Sequence, residues 1–289
     1  MNTPEIHNKP FNHIVFGFVA CLGVFFFYQL FGGGAVAFLL LFKQTEWIWL
    51  VQGTGQFLFM LIPAILVMRY SPLGKIGLLR LGGHTTAMQW VAGLCGVLSI
   101  QIFITGFAPL QEALVPESLM DVYKNMQTQM ENIYMTILGG VGIISFLKGL
   151  LAGAIIPSFS EEILFRGVMQ SSLERVFSPL KAILWSGVIF GIIHFNPTYI
   201  IPLIGIGIYL GILAYYTQSL FLPIAAHFLN NLIAVVGMNF FDERSMAISS
   251  VEISLPIAGL LCTTGLVGIV VASIVVVRQG KIVSPAEDG

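Results

Sequence analysis

Two adjacent glutamates and an arginine, Glu161, Glu162 and Arg166, lie inside an otherwise apolar stretch, FSEEILFRGVMQSSLERVF at 159–177. Glu162 and Arg166 are four residues apart, so they share one face of a helix and can form an ion pair. Glu161 then has no local partner for its charge. A carboxylate placed in this way is a candidate general base or general acid.

Two further apolar segments supply polar groups at helical spacing. FGIIHF places His194 four residues after Phe190. AAHFLNNL places His227 and Asn231 four residues apart on one helix face, and Asn230 is expected to point elsewhere. A carboxylate and an imidazole can together activate a water molecule, and a second imidazole and an amide can donate hydrogen bonds to a developing oxyanion. Together these groups suffice to hydrolyse a peptide bond without a covalent intermediate.

The same side chains also allow a metal-dependent reaction. Glu161, His194 and His227 form a set of one glutamate and two histidines, which is found in catalytic zinc sites. Sequence alone does not separate this alternative from the metal-free one. The chain contains none of the HExxH, GxSG and GxGD motifs that mark other peptidases.

The composition is that of a polytopic membrane protein. Of 289 residues, 56% are hydrophobic and only 9% are charged, whereas soluble domains carry about 25% charged residues. A span needs about 20 apolar residues, and eight segments qualify: 14–42, 47–69, 88–111, 137–173, 181–195, 199–217, 219–240 and 254–277. The predicted fold is therefore all-α, a membrane helical bundle of about eight transmembrane helices. The net charge of −1 predicts no nucleic-acid partner.

These spans are expected to bring the polar groups to one depth. Glu161 lies roughly 18 Å from the end of its span at 173, and His194 lies roughly 20 Å from 181, at about 1.5 Å per residue. Counted from 219, His227 and Asn231 lie roughly 12 and 18 Å deep. Four polar side chains from three spans are therefore expected to meet at one level of the membrane.

Lysine and arginine predict which face is cytosolic, because cytosolic connections carry an excess of them. With eight spans, both termini lie on one face, and that face holds eight basic residues against three on the other. The eight are Lys9, Arg69, Lys75, Arg80, Arg175, Lys181, Arg278 and Lys281, and the three are Lys43, Lys124 and Arg244. We therefore expect a multi-pass integral membrane protein with both termini in the cytosol.

The organisation of the chain follows the spans, since no extramembrane domain is predicted. We assign 1–134 to the first three spans and a polar loop, 135–240 to a catalytic core, and 241–289 to the last span and a cytosolic tail. The polar loop, about 112–134, is expected to be short, with a surface helix at most. Pro157 is expected to kink or break the fourth span.

The three motifs resemble those of the CAAX protease and bacteriocin-processing family of intramembrane proteases (CPBP, or Abi), which includes the type II CAAX prenyl endopeptidases. The family's first motif, two glutamates and an arginine, matches EEILFR at 161–166. Its second, a phenylalanine and a histidine, matches FGIIH at 190–194, and its third, a histidine and an asparagine, matches HFLNN at 227–231. The resemblance covers about 157–235.

The resemblance implies an all-helical peptidase with a defined catalytic set: Glu161, His194, His227 and Asn231. In this set Glu161 and His194 activate water, and His227 and Asn231 stabilise the oxyanion. The supporting residues are Glu162, Arg166 and Phe190: the ion pair holds the helix and orients Glu161, and the phenylalanine packs against the site. Because an amide is a poor zinc ligand, no cofactor is favoured, and a divalent metal such as zinc on Glu161, His194 and His227 is the alternative.

The expected function is an intramembrane endopeptidase that acts on a peptide or a membrane protein within the lipid bilayer. Two other functions use the same residues. Glutamates and histidines at mid-membrane carry protons in transporters, but transporters commonly show repeated halves, and no repeat is found in this sequence. A catalytically silent membrane-binding or immunity protein would retain the motifs without the reaction.

Overall fold

The computed structural model describes residues 10–70, 80, 83, 85–241 and 253–280. Every regular element in those ranges is a helix, which confirms the prediction of an all-α membrane bundle. The helices described there are α1 (Asn12–Leu41), α2 (Thr45–Arg69), α3 (Ala87–Ala113), α4 (Glu117–Leu138), α5 (Ile143–Leu173), α6 (Pro179–Ile192), α7 (Ile200–Thr217), α8 (Phe221–Phe240) and α9 (Leu255–Gln279).

Seven of these helices are long and apolar enough to cross a membrane. The remaining predicted span, 181–195, is α6, whose 14 residues extend only about 21 Å. α6 nevertheless runs antiparallel to α7 along most of its length, because Gly187 lies against Ile208 and Gly191 lies against Ile204. Within the described residues, the chain thus passes through the bundle on seven long helices and one short one.

The connections between the helices gather on two faces. The terminal face is where α1 begins and α9 ends, and there the Arg80 side chain pairs with Glu174. The Arg80 carbonyl on the same face accepts a hydrogen bond from the Leu220 amide at 2.9 Å. The opposite face holds the two ends of α4 and the connection at 193–199, where Gln111 Nε2 donates to the Thr198 carbonyl at 2.9 Å.

The basic residues behind the predicted orientation are described only in part. Lys9, Lys75, Arg244 and Lys281 lie outside the described residues, as does the tail at 281–289. The described ones follow the two faces: Arg69, Arg80, Arg175, Lys181 and Arg278 belong to the terminal face, and Lys43 and Lys124 to the opposite face. Which of these faces is cytosolic stays a prediction.

The polar connection at about 112–134 includes a surface helix, as the sequence allowed. It contains α4, an amphipathic helix of 22 residues with no fully buried side chain. Gly140 and Gly142 follow it with φ angles of +145° and +88°, which favour glycine. These two residues end α4 and separate it from α5, so the predicted start of the fourth span at 137 is wrong and the span begins at Ile143.

The helix that carries the first motif, α5, continues past Pro157. Two π-helical segments flank this residue, Leu150–Ile155 and Ile163–Gln170. A π turn changes the hydrogen-bonding register of the backbone. Of the two predicted outcomes at Pro157, a kink or a break, the break does not occur, because the helix is continuous from Ile143 to Leu173. Every residue of 163–170 is buried, so the motif lies at the centre of the bundle.

Candidate active site

Three side chains from three helical segments meet inside the bundle. Glu161 Oε2, from α5, lies 3.8 Å from His194 Nε2, just after α6, and 3.8 Å from His227 Nε2, on α8. Both distances exceed a direct hydrogen bond, but a water about 2.8 Å from each atom would fit either pair. Glu161 Oε2 is buried and has no hydrogen-bond partner among the described residues. It is therefore the oxygen that can accept a proton from a reacting molecule.

The hydrogen bonds of the two histidines assign a proton to one nitrogen of each ring. His194 Nδ1 lies 2.6 Å from the Phe190 carbonyl oxygen, which can only accept, so Nδ1 carries a proton. In the neutral ring, Nε2 of His194 then presents a lone pair towards Glu161. His227 Nδ1 lies 2.9 Å from Glu162 Oε1 and donates to that carboxylate. His227 can therefore donate from Nε2 as well only when its ring is an imidazolium.

A buried charge network holds His227 in place. Arg166 Nη1 donates to Glu162 Oε1 at 2.8 Å, and Arg166 Nη2 donates to the Gly207 carbonyl of α7 at 2.8 Å. Glu162 and Arg166 are both 0% exposed. Burial of two charges is offset only when the pair is close and hydrogen-bonded, as it is here. The first motif thus joins α5, α7 and α8 around the site.

Phe190 packs against all three of the neighbouring polar groups. Arg166 Cζ lies 4.6 Å from the centre of its ring, a cation–π geometry. The ring centres of Phe190 and His194 are 4.6 Å apart, and those of Phe190 and His227 are 5.8 Å apart in an edge-to-face arrangement. The phenylalanine therefore limits the rotation of both imidazoles.

Asn231 lies in the same cavity as His227 and is tied to α5. Its Nδ2 donates to the Gly153 carbonyl at 3.1 Å. In an α-helix this carbonyl would accept from the backbone amide of residue 157, but Pro157 has no N–H to donate. One hydrogen on Nδ2 remains for a further acceptor. Asn230 does not point elsewhere as predicted: it also lines the cavity and donates to Asn231 Oδ1 at 3.1 Å.

Gln56 of α2 is a site residue that the motifs did not predict. Its Nε2 donates to Glu161 Oε1 at 3.0 Å, and the residue is 2% exposed. The hydrogen bond from Gln56 engages Oε1 of Glu161, so that Oε2 faces the two histidines. A signal existed, because Gln52 and Gln56 are polar residues four apart in an apolar span, but no motif connected them with the site.

These residues line a cavity of about 740 Å³. The wall is mostly apolar with amide and hydroxyl groups between, including Gln101 of α3 and Gln127 of α4. Tyr199, in the connection before α7, also lines the cavity. Burial, together with a smaller effect of the nearby Tyr134, raises the pKa of this phenol to about 12. Tyr199 therefore stays a neutral hydrogen-bonding group at physiological pH. A volume of this size accommodates several residues of a peptide.

The metal alternative requires Glu161, His194 and His227 to surround one ion. Among the described residues, no group of three or more histidine, cysteine, aspartate or glutamate side chains is arranged to hold a metal ion. Glu161 Oε2 lies 3.8 Å from Nε2 of both His194 and His227, and the reaction proposed below uses no metal.

Comparison with known protein families gives one match. Residues 143–233 match the family described as "Type II CAAX prenyl endopeptidase Rce1-like". The matched segment contains all seven residues that the three motifs contribute, from Glu161 to Asn231, and it excludes Gln56. Comparisons with curated proteins and with solved structures gave no match.

Proposed function

Residues 143–233 form a domain of the Rce1-like type II CAAX prenyl endopeptidase family, a family of intramembrane proteases, and on this premise we propose that the protein is an active intramembrane endopeptidase. It hydrolyses a peptide bond in a membrane-associated peptide or protein, with water activated by Glu161 and His194. The observation that carries the proposal is the unpartnered Glu161 Oε2, which faces two histidine Nε2 atoms at 3.8 Å each.

The reaction begins with proton transfer. Glu161 Oε2 accepts a proton from a water whose other hydrogen bonds to His194 Nε2, and the water oxygen attacks the carbonyl carbon of the scissile bond. The tetrahedral oxyanion accepts hydrogen bonds from His227 Nε2–H and from the remaining Nδ2 hydrogen of Asn231. Glu161 then gives its proton to the leaving nitrogen, the C–N bond breaks, and a carboxylic acid, which keeps the second water proton, and an amine are released.

The supporting residues orient the oxyanion donor. Glu162, which pairs with Arg166, accepts a hydrogen bond from His227 Nδ1 and so directs the ring edge that carries Nε2 towards the cavity. Glu162 and Arg166 therefore act on the reaction through His227 as well as through the packing of α5.

The protein is a multi-pass membrane protein, and its orientation belongs to the proposal. We place the terminal face, with both chain ends, in the cytosol. Its described basic residues outnumber those of the opposite face by five to three, Arg69, Arg80, Arg175, Lys181 and Arg278 against Lys43, Lys124 and Lys148.

The test is cleavage of a peptide library by the purified, detergent-solubilised protein. We expect the natural chain to cleave a subset of peptides, and we expect Glu161→Gln and His194→Ala to lower the rate by about 10²-fold or more. Glu117→Gln is the matched control, because Glu117 begins α4 and does not line the cavity. A metal chelator should leave the rate unchanged. Retained cleavage by folded Glu161→Gln would overturn the proposal.

A further inference from the structure

We propose that Gln101 and Asn230 are positioning residues of the peptidase. They fix the orientation of the Asn231 amide, and in this way they keep one hydrogen of its Nδ2 available for the oxyanion. This inference rests on the proposed function, in which Asn231 is an oxyanion donor. Gln101 lies outside the segment 143–233 that matches the family, so the family motifs do not assign it a role.

Three amide side chains on the cavity wall are joined by successive hydrogen bonds, and we call them the amide relay: Gln101, Asn230 and Asn231. Gln101 Nε2, on α3, donates to Asn230 Oδ1 at 2.8 Å. Asn230 Nδ2 donates to Asn231 Oδ1 at 3.1 Å, and Asn231 Nδ2 donates to the Gly153 carbonyl at 3.1 Å. All four residues line the cavity, so the relay joins α3, α8 and α5 within its wall.

The Gly153 carbonyl sets the direction of the relay. An amide side chain has a donor at one end and an acceptor at the other, so its orientation follows from its hydrogen-bond partners. A backbone carbonyl can only accept, and therefore the group of Asn231 that faces Gly153 is the NH₂ group. Asn231 Oδ1 then faces Asn230, which has to donate. Asn230 Oδ1 in turn faces Gln101, which also has to donate.

The relay makes the reverse orientation of Asn231 unfavourable. A reversed amide would place Oδ1 against the Gly153 carbonyl oxygen and its NH₂ group against the NH₂ group of Asn230. Two hydrogen bonds of a half-buried side chain would be lost, and polar groups without partners cost free energy. Asn230 cannot turn to accommodate the reversal without losing its bond to Gln101. In the observed orientation, Asn231 Nδ2 uses one hydrogen for Gly153 and keeps the other for the oxyanion.

Cleavage kinetics test the relay through a graded loss of kcat. We expect Asn231→Ala to lower kcat by about 10²-fold or more, as loss of an oxyanion donor does. Asn230→Leu removes the donor to Asn231 and keeps a branched side chain, so kcat should fall by about tenfold. Gln101→Met should lower kcat by less, because Asn230 still donates to Asn231. KM should change little in each variant, since the oxyanion forms only during the reaction.

Two comparisons separate positioning from packing. Thr105→Val is the matched control, because Thr105 is exposed on α3 one turn after Gln101 and does not line the cavity; its kcat should equal that of the natural chain. When Asn231→Ala is already present, no amide remains to be oriented, so Asn230→Leu should not lower kcat further. A loss by the same factor in both backgrounds, or a natural kcat in Asn230→Leu alone, would overturn the proposal.

Thermal unfolding in detergent tests the relay without cleavage. Because Asn230 joins Gln101 to Asn231, Gln101→Met and Asn231→Ala together should lower the midpoint temperature by less than the sum of their separate shifts. In the Asn230→Leu background the two shifts should add. Additive shifts in the natural background of a chain that cleaves peptides would overturn the relay alone. Coupled shifts in a chain that cleaves no peptide would overturn the proposed function, and with it the catalytic role of the relay.

Discussion

At the scale of single residues, the two oxygens of Glu161 have different surroundings. Oε1 accepts a hydrogen bond from Gln56 at 3.0 Å, whereas Oε2 faces His194 and His227 without a bond. Because the hydrogen bond from Gln56 to Oε1 restricts rotation of the carboxylate, Oε2 stays directed towards the two histidines. This asymmetry orients the proposed base before any substrate binds.

Substitution of Gln56 tests this asymmetry. In Gln56→Met the side chain keeps its approximate size but loses the donor, so Glu161 is free to turn. We expect kcat to fall about tenfold, the equivalent of one hydrogen bond to a charged group, with KM little changed. The measurement is steady-state cleavage of a peptide identified from the library.

Gln52→Met is the matched control for that substitution. Gln52 lines the same cavity one helical turn away, and it donates to the Tyr28 hydroxyl at 2.8 Å rather than to Glu161. Its kcat should stay near that of the natural chain. If both variants lose activity equally, Gln56 acts through the general packing of α2 and not through Glu161.

The motif residues could be predicted from the sequence because each pair follows helical spacing within one span. Gln56 could not, since its partner Glu161 is 105 residues away and the contact depends on how α2 packs on α5. Asn230 shows the same limit. Helical spacing placed it off the face of Asn231, but Gln101 of α3 donates to its side chain at 2.8 Å and holds it in the cavity.

At the scale of helices, α5 is held to its neighbours by buried polar contacts. Arg166 donates to Gly207 of α7, and Gln170 donates to Gly211, one turn further along α7, at 3.0 Å. Both donors lie in the π-helical segment Ile163–Gln170. The sequence predicted the Glu162–Arg166 pair but not these carbonyl acceptors, because backbone groups leave no mark in a sequence.

The buried pair gives a prediction about stability. Arg166→Met leaves Glu162 buried beside His227 without its guanidinium, and we expect a loss of about 3–5 kcal/mol in unfolding free energy. In the double variant Glu162→Gln with Arg166→Met, no unpaired carboxylate remains, so the loss should be smaller than in Arg166→Met alone. Unfolding in detergent measures both. A double variant less stable than the single one would contradict the ion-pair account.

The contact of α6 with α7 gives a prediction about activity. A Cβ on Gly187 would lie 2.7 Å from the Ile208 backbone nitrogen, closer than side chains pack. Gly187→Ala should push α6 away from α7 and move Phe190 and His194, destabilising the protein by about 1–3 kcal/mol and slowing cleavage. Gly205→Ala on α7 is the control, because nothing lies within 4 Å of a Cβ there. Equal effects of the two changes would show that this packing does not position the site.

At the scale of the whole molecule, the cavity requires helices from most of the chain. The predicted division at 134 falls inside α4, and helices on the N-terminal side of it, α1, α2 and α3, line the cavity together with α4. Apolar patterning predicted seven of the eight proposed spans as helices long enough to cross a membrane, because bilayer thickness dictates helix length. It could not predict that the polar segment before α5 forms one wall, since amphipathic helices on a surface have many docking positions.

Filling the outer part of the cavity tests whether substrate uses it. Ala108 of α3 lines the cavity, and Ala108→Trp would occupy space that a peptide needs without touching Glu161. We expect KM to rise by about tenfold with kcat nearly unchanged, the signature of lost substrate binding. Val270→Trp, on the exposed surface of α9, should change neither constant. An unchanged KM in Ala108→Trp would mean that the peptide enters by another route.

The central claim is that Glu161 and His194 act together on one water, and a double-variant comparison tests it most directly. Cleavage of one library peptide is measured for the natural chain, for Glu161→Gln, for His194→Ala and for the two changes combined, each verified as folded. Groups that act as a unit give non-additive losses, so we predict that the double variant is no slower than the slower single variant. Losses that multiply in the double variant, or a single variant that cleaves at the natural rate, would contradict the account.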